Sequence, residues 1–178
     1  MAKTPIVRPA RANDAAAIAA IYAHHVAHGT ASFDTDPRSD AETAAKIDEC
    51  ANRGWPFLVA ELDGRVIGYA YATQFRDRPA YRTTCENSIY LDPAHLGRGV
   101  GTLLLDALVE AATAAGFRQM IAVIGGAEPA SAALHARAGF VETGRMRSVG
   151  RKQGRWLDTL YMQRSLGAGD TIPPKVEP

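Results

Sequence analysis

Residues 86–115 read ENSIYLDPAHLGRGVGTLLLDALVEAATAA and carry the clearest structural signal in the chain. A strand pattern at 86–91 stops at Asp92 and Pro93, a glycine-rich turn follows, and leucines then recur at helical spacing over 102–115. A strand, a glycine turn and a helix start place backbone N–H groups and the positive end of a helix dipole at one point. The stretch therefore predicts an α/β unit that can hold a phosphate-bearing ligand.

The glycine turn differs from the common nucleotide fingerprints. Gly97, Gly99 and Gly101 alternate, which is not G-x-G-x-x-G, and no Lys-Ser/Thr pair follows as in a P-loop. Glycine permits close approach of the backbone to a pyrophosphate, and Arg98 offers a charge-assisted contact. By itself the turn is equally consistent with simple packing of a helix against a strand.

The rest of the chain predicts further helices and strands around this unit. Asp63 and Gly64 separate two apolar runs and are typical of a type I′ hairpin turn. The predicted strands are 6–8, 57–62, 66–71, 86–91, 119–124, 141–149 and 155–164, and the predicted helices are 15–26, 40–50, 102–115 and 131–138. Hairpins mixed with helical crossovers indicate an α/β fold, a mixed sheet flanked by helices.

Length and composition limit the class of protein. The chain has 178 residues, which at roughly 100–200 residues per domain predicts one domain, here over 1–166, with a flexible tail over 167–178 that is rich in Gly and Pro. Hydrophobic residues make up 47%, and Lys+Arg (20) nearly balance Asp+Glu (19). This composition argues against a disordered chain and against a nucleic-acid binder.

The same composition predicts where the protein works. Apolar runs stop well short of the roughly 20 residues that a membrane span needs, and no apolar signal core follows the N-terminus. We expect a soluble, cytoplasmic protein with no membrane or nucleic-acid partner. Cys50 and Cys85 lack a C-x-x-C partner and are expected to be buried free thiols.

Three histidines of the first helix raise the question of a metal. His24 and His28 have a zinc-compatible spacing, with His25 beside them, but no H-E-x-x-H glutamate or third ligand accompanies them. A surface or interface cluster is the favoured interpretation, and no metal is predicted.

Several separated motifs, in this order, resemble the GCN5-related N-acetyltransferase (GNAT) superfamily over residues 5–166. They are the strand and glycine turn at 89–101, the apolar helix and short strand behind it, and LHARAGF at 134–140. The chain is most similar to the branch that acetylates phosphinothricin and methionine sulfone or sulfoximine. The branch motifs are ENSIYL (86–91), PAH (93–95), AVIG (122–125) and GRWLD (154–158).

The resemblance implies acetyl-CoA as co-substrate, with its pyrophosphate on the glycine turn. Backbone groups of the preceding strand can pair with the pantetheine chain as an added strand would. The cofactor contacts implied are Ile89, Tyr90, Leu91, Leu96, Gly97, Arg98, Gly99, Val100, Gly101, Thr102 and Ser131. Glu128 stands where the family commonly has asparagine, and because a carboxylate repels phosphate we expect it to point away, leaving Ser131 as the nearer contact.

Acetyl transfer to an amine needs a base for the ammonium and assistance at the thioester. Glu86 matches the glutamate regarded as general base in the phosphinothricin enzymes, acting directly or through a water; the alternative is a solvated carboxylate. His135 stands where this branch carries histidine, so it is a candidate to protonate the departing thiolate or to orient the thioester. The alternative for His135 is a hydrogen-bonded core histidine.

The amine substrate is predicted less directly. Arg76, Tyr81 and Arg82 in one loop, with Phe33 and Trp156 as aromatic walls, are candidates to seat a carboxylate and a neighbouring sulfone or phosphinate. Arginines in a polar loop are otherwise simply solvated.

These features together predict an acetyl-CoA-dependent N-acetyltransferase that acts on the α-amine of a small amino-acid analogue such as phosphinothricin, methionine sulfone or methionine sulfoximine. Two alternatives stay open: a GNAT acetyltransferase of another small amine or amino acid, and a non-catalytic acyl-CoA-binding sensor. The resemblance also implies a homodimer.

Overall fold

The computed structural model describes residues 4–174. The strands are β1 (Ile6–Pro9), β2 (Phe57–Leu62), β3 (Arg65–Gln74), β4 (Thr84–Leu91), β5 (Gln119–Gly125), β6 (Val141–Lys152) and β7 (Arg155–Ser165). The helices are α1 (Ala15–His28), α2 (Asp40–Arg53), α3 (Val100–Ala114) and α4 (Pro129–Arg137). All the predicted helices and strands are present and differ only at their ends. For example, α4 begins at Pro129 rather than at Ser131, because proline suits the first helical position.

The seven strands form one sheet in the order β1-β2-β3-β4-β5-β7-β6. All neighbouring strands are antiparallel except β4 and β5, which are parallel. On one face α1 and α2 pack on aromatic residues such as Tyr69 and Tyr71, and on the other face α3 supplies Leu104, Leu105 and Leu108 to the larger core. The fold is therefore a mixed α/β sheet flanked by helices, as predicted.

A gap opens in the middle of the sheet. β4 and β5 pair only as far as Asn87 and Ala122, whereas β4 continues to Leu91 and β5 to Gly125. Beyond that point β4 remains paired with β3, and β5 with β7. Two strands that separate while their other neighbours hold them leave backbone groups facing an open wedge.

The two hairpins differ in surroundings. Asp63 and Gly64 both have positive φ, at 53° and 75°, as the predicted type I′ turn requires. The β6–β7 hairpin lies at the sheet edge, and β6 is exposed along nearly its whole length. β6 also carries an irregularity between Met146 and Gly150, where Ser148 adopts positive φ.

The remaining features concern the thiols and the chain ends. Cys50 and Cys85 are both free and buried. The predicted tail begins with hydrogen-bonded turns at Leu166 to Thr171, while residues 175–178 lie outside the described residues. Within residues 4–174, no helix is long and apolar enough to cross a membrane.

Candidate active site

The glycine turn presents free backbone donors at the start of α3. Gly97 and Gly99 have φ of 71° and 81°, a left-handed conformation that favours glycine, and open space surrounds both Cα atoms. No side chain caps α3, and the first helical bond runs from the Leu103 N–H to the Gly99 carbonyl. The N–H groups of residues 100–102 therefore point outward at the positive end of the helix, which suits a phosphate.

The third glycine of the turn has a different role. A Cβ on Gly101 would lie 3.3 Å from Leu134 on α4 and 3.4 Å from Leu91 on β4. Gly101 therefore lets α3 approach both elements closely. Leu96 and Arg98, also predicted as cofactor contacts, are exposed beside the turn.

Glu128 is turned onto its own helix. Its carboxylate accepts from the N–H groups of Ala130 and Ser131, at 2.8 and 3.4 Å, and so caps α4. A negative charge at a helix N-terminus is stabilising. This geometry explains how a carboxylate is accommodated at this position, and it leaves Ser131 lining the gap.

The β4 backbone offers hydrogen-bonding groups to the gap. Because the Asp92 N–H donates to Ile67 on β3, the alternation along the strand points the backbone of Ile89 and Leu91 away from β3 and toward β5. His25 reaches across from α1, with Nε2 2.7 Å from the Leu91 carbonyl oxygen. The N–H and C=O of Ile89 and the N–H of Leu91 thus face the gap.

Tyr90 lies between Ile89 and Leu91, and its backbone groups do not face the gap. Its backbone faces β3, and its ring stacks on Tyr69 and meets Tyr22 edge-on, with centroids 5.5 and 5.1 Å apart. Tyr90 lines the gap but belongs mainly to the aromatic core under α1.

Glu86 stands where two cavities meet. The first, here the gap cavity, has a volume of about 250 Å³ and lies between β4, β5, α4 and residues 31–33. The second, here the α2 cavity, has a volume of about 600 Å³ and lies between α2, β3 and β4. Glu86 and Ser88 line both. Burial raises the pKa of Glu86, and the positive charge of Arg76 partly opposes that rise. A carboxylate with a raised pKa is a stronger proton acceptor.

His135 is a buried side chain tied to β4. Nδ1 lies 2.8 Å from the Ser131 carbonyl oxygen and Nε2 lies 3.0 Å from Oδ1 of Asn87, whose amide also donates to Ile121. His135 is 2% exposed and Asn87 6%. Burial lowers the pKa of His135, against the opposing effect of the Ser131 carbonyl. A neutral imidazole has one N–H, so it donates to only one of these two acceptors at a time.

Residues 31–33 form a wall of the gap cavity, and contacts from α1 and the β6–β7 hairpin hold this segment. The hydroxyl of Tyr22 bonds Ser32 at 2.9 Å and also bonds Asp34. Lys152 donates to the Ser32 carbonyl at 2.8 Å. A Cβ on Gly150 would lie 2.2 Å from the Phe33 ring, so the ring rests directly on that glycine.

The predicted substrate residues do not all come together. Phe33 lines the gap cavity, and Arg76 stacks on Phe75 at the edge of the α2 cavity. Tyr81 contacts the same Phe75 ring, edge-on at 5.8 Å. The structure brings neither Arg82 nor Trp156 to these cavities. Arg82 lines a third cavity near the end of α3, and Trp156 is 63% exposed on β7 beside Arg151.

Sequence reasoning missed several residues that shape the site. They are Asn87, which ends the β4–β5 pairing; His25, which reaches the β4 backbone; and Gly150 and Lys152, which hold residues 32 and 33. Only Asn87 lay within a quoted motif, and nothing in the sequence pairs it with His135, 48 residues away. For residues 4–174, no group of three or more His, Cys, Asp or Glu side chains is arranged to hold a metal ion.

Comparisons with known proteins identify a family and its relatives. Residues 18–140 match the family described as Acetyltransferase (GNAT) family. A phosphinothricin N-acetyltransferase of Alcaligenes faecalis is 50% identical over 170 residues, 95% of this chain and 86% of the relative. An L-methionine sulfoximine/L-methionine sulfone acetyltransferase of Pseudomonas paraeruginosa is 39% identical over 94% of this chain and 98% of its own.

A solved structure is similar over almost the whole chain. It is a GNAT superfamily phosphinothricin acetyltransferase from Sinorhizobium meliloti in complex with AcCoA. The TM-score is 0.95 at 49% sequence identity, with 97% of this chain and 94% of the other covered.

Proposed function

Because the chain belongs to the acetyltransferase (GNAT) family, we propose that it transfers the acetyl group of acetyl-CoA to the α-amine of phosphinothricin, methionine sulfone or methionine sulfoximine. The observation that carries the proposal is the position of Glu86. This carboxylate stands at the closed end of the β4–β5 gap and lines both the gap cavity and the α2 cavity. One ligand entering along the gap and another from the α2 side would meet beside it.

The residues present fit acetyl-CoA. The outward N–H groups at the start of α3 suit the pyrophosphate, and Arg98 adds a positive charge beside them. The free backbone groups of Ile89 and Leu91 suit the amides of the pantetheine chain, as in the addition of a strand. Acetyl-CoA would supply the activated acetyl group, and a backbone N–H of β4 that faces the gap would hold the thioester carbonyl.

Glu86 takes the proton from the substrate ammonium, directly or through one water. Its burial raises the pKa of the carboxyl group, which favours proton acceptance, and the positive charge of Arg76 partly opposes that rise. The neutral amine then attacks the thioester carbonyl, the carbon–sulfur bond breaks, and the thiolate of coenzyme A takes up the proton that the acylated nitrogen releases.

His135 has a positioning role at the thioester end of acetyl-CoA. Both ring nitrogens are engaged, by Ser131 and Asn87, so orientation of the thioester end is better supported than direct proton donation. Ser131 lines the same cavity one helical turn earlier and is the nearer side chain to the cofactor, since Glu128 caps the helix.

On the amine side, Phe33 forms a wall and Arg76 supplies positive charge near Glu86, with Tyr81 packed beside the same loop. Arg82 and Trp156 lie apart from both cavities in one chain.

The test is continuous detection of thiol release from acetyl-CoA. The panel contains phosphinothricin, methionine sulfone and methionine sulfoximine, with ordinary amino acids, polyamines and aminoglycosides as controls. Preference for the first three supports the proposal. Activity only on a control amine would support acetyl transfer to an amine but contradict the proposed substrates. Binding of acetyl-CoA without turnover of any amine would favour a non-catalytic acyl-CoA sensor.

We extend the proposal to a cytoplasmic homodimer with residues 1–166 as its catalytic domain. The edge strand β6 and its neighbour β7 expose Val141, Met146, Val149 and Trp156, and an apolar edge strand is suited to pairing with a second copy. The two free, buried cysteines suit a reducing compartment. Light scattering should report a dimer, and Val149→Lys should shift it to the 19.0 kDa monomer. A wild-type monomer at micromolar concentration would contradict this assembly.

A further inference from the structure

A histidine from α1 holds the end of β4 beside the β4–β5 gap. Tyr22 and His25 lie three residues apart and so share one face of α1. Both rings contact Tyr90 on β4, with centroids 5.1 and 5.5 Å away. Beyond Tyr90, Nε2 of His25 lies 2.7 Å from the carbonyl oxygen of Leu91. Because a carbonyl oxygen only accepts, Nε2 carries a proton and donates it.

The peptide group that links Leu91 to Asp92 is held from two sides. Its carbonyl accepts from His25 on α1, and its N–H donates to the Ile67 carbonyl on β3 at 2.9 Å. A peptide group is planar, so hydrogen bonds at both ends fix its rotation as well as its position. The group therefore cannot turn without breaking one of these two bonds.

A short connection leads from this peptide group to the glycine turn. It is a single turn of 3₁₀ helix, Pro93–His95. The Asp92 side chain caps it by accepting from the Ala94 N–H at 2.9 Å, and the Asp92 carbonyl accepts from the His95 N–H, also at 2.9 Å. Because the connection is short and hydrogen-bonded, a displacement of the Leu91 backbone is passed to the glycine turn instead of being absorbed by a loop.

Leu91 stands between the two sets of groups proposed to bind acetyl-CoA. Before the Leu91 carbonyl are the groups proposed for pantetheine, the N–H and C=O of Ile89 and the N–H of Leu91. After it are the groups proposed for the pyrophosphate, the glycine turn and the N–H groups of residues 100–102. One ligand binds both sets together only if their spacing matches the ligand, since its two parts are covalently joined.

We infer that His25 positions the peptide group between Leu91 and Asp92, so that the backbone of β4 and the glycine turn bind one molecule of acetyl-CoA together. The inference rests on the proposed function and adds a positioning residue to it. In this role His25 acts through the Leu91 carbonyl and not by contact with the reacting atoms.

The experiment compares His25→Gln with His25→Asn. The amide nitrogen of glutamine can reach the position of Nε2, whereas asparagine is one methylene shorter and cannot reach the Leu91 carbonyl. We expect His25→Asn to raise the KM for acetyl-CoA about three- to tenfold, in keeping with one lost hydrogen bond, and His25→Gln to restore most of this loss. The kcat at saturating acetyl-CoA and the KM for the amine should stay within about twofold. His28→Asn, at an exposed position of the same helix, is the matched control and should change none of these values.

Two fragments of the cofactor test the alignment itself. S-acetylpantetheine carries the thioester and the pantetheine chain, and adenosine 3′-phosphate 5′-diphosphate carries the pyrophosphate. Each fragment binds one set of groups, so His25→Asn should change the KM of the first and the inhibition constant of the second by less than about twofold. A loss on either fragment as large as the loss on acetyl-CoA would overturn the inference, because damage to one set alone would then explain it.

Two further results would overturn the inference. Equal KM values for acetyl-CoA in wild type and His25→Asn would make the contact with Leu91 purely structural, even if thermal melting showed a loss of stability. An equal rise in this KM with His25→Gln and His25→Asn would show that the hydrogen bond to Leu91 is not the cause.

Calorimetric titration with coenzyme A separates this inference from the proposed function. If wild type acetylates none of the proposed amines but binds coenzyme A, and His25→Asn binds it about three- to tenfold more weakly, the substrate is wrong and the role of His25 stands. Equal affinities would overturn that role. If wild type does not bind coenzyme A, both proposals fail. Thermal melting of each variant controls for folding.

Discussion

The proposed site has an acetyl-CoA half and an amine half, and the two differ in whether backbone groups or side chains form them. The proposed cofactor half consists of backbone groups from one continuous stretch, the end of β4, the glycine turn and the first turn of α3. The proposed amine half consists of side chains from four separate segments, residues 31–38, α2, β3 and β4. Backbone donors depend on local conformation, whereas convergent side chains depend on packing across the whole sheet. The five predictions below either separate the two halves or show that they are coupled.

The largest effect is expected at Glu86, where the halves meet. Glu86→Gln should lower kcat by roughly 10²- to 10⁴-fold, the range typical of a lost general base, with little change in the KM for acetyl-CoA. Because the pKa of Glu86 is raised by burial, ionisation costs folding free energy as pH rises through it. The variant should therefore be at least as stable as wild type at pH 7 by thermal melting. Turnover by Glu86→Gln at the wild-type rate would show that Glu86 is not the general base.

A change at the glycine turn should affect the cofactor half alone. Gly99→Ala places a Cβ at φ of 81°, which costs about 1–2 kcal/mol in the left-handed region. Relief of this strain moves the N–H donors, so the KM for acetyl-CoA should rise roughly tenfold while the KM for the amine is unchanged. Gly64→Ala, at φ of 75° in the β2–β3 turn, is the matched control and should cost stability only. An equal rise in KM with both variants would contradict the assignment.

Substitution of Asn87, the last residue of β4 that pairs with β5, should affect both stability and the binding of acetyl-CoA. Asn87→Ala leaves His135 and the Ile121 carbonyl without their partner, and the free energy of unfolding should fall by about 1–3 kcal/mol in urea denaturation. Because the gap closes at this residue, the KM for acetyl-CoA should also rise. Thr143→Ala removes an exposed hydrogen bond to Tyr161 and should cost no more than about 0.5 kcal/mol. A loss of stability with unaltered kinetics would make the Asn87–His135 pair purely structural.

The amine half can be perturbed from the far edge of the sheet. Gly150→Ala would place a methyl group 2.2 Å from the Phe33 ring, so the ring must move from the wall of the gap cavity. Because the glycine turn proposed to hold the pyrophosphate does not line this cavity, we expect a severalfold rise in the KM for the amine and little change in the KM for acetyl-CoA. Gly144→Ala, on the same strand and with open space around it, is the control. A rise in both KM values would show that the halves are coupled through this wall.

The smallest effect is a shift in pH dependence. Arg76→Met removes the charge that opposes the raised pKa of Glu86, so the acid limb of the kcat/KM profile should move to higher pH. The substrate amine titrates identically in all variants, so the difference between profiles reports Glu86. Arg78→Met, also exposed in the same loop, should leave the profile in place. Salt should move wild type toward Arg76→Met, because an exposed charge is screened. An unchanged pH profile for Arg76→Met would show that the charge of Arg76 does not influence the pKa of Glu86.

Prediction from sequence succeeded where the signal was local. The β2–β3 turn required two residues at positive φ and has Asp63 and Gly64 there. The glycine turn and the apolar periodicity of α3 predicted a strand, a turn and an uncapped helix, and all are present. The roles of Glu86 and His135 came from the resemblance to a family and stay predictions. Their placement around the gap is what the structure adds.

Local patterns in the amino-acid sequence are sufficient to predict the helices and strands, the glycine turn and the family. These depend on periodicity, turn residues and motif order, which short stretches of chain carry. Three features emerge only when the whole chain is packed: β4 and β5 separate after Asn87, His25 reaches the carbonyl of Leu91, and Arg38 rather than Arg82 shares a cavity with Glu86. These contacts join residues far apart in sequence, so sheet order and helix packing, not local pattern, set which side chains meet.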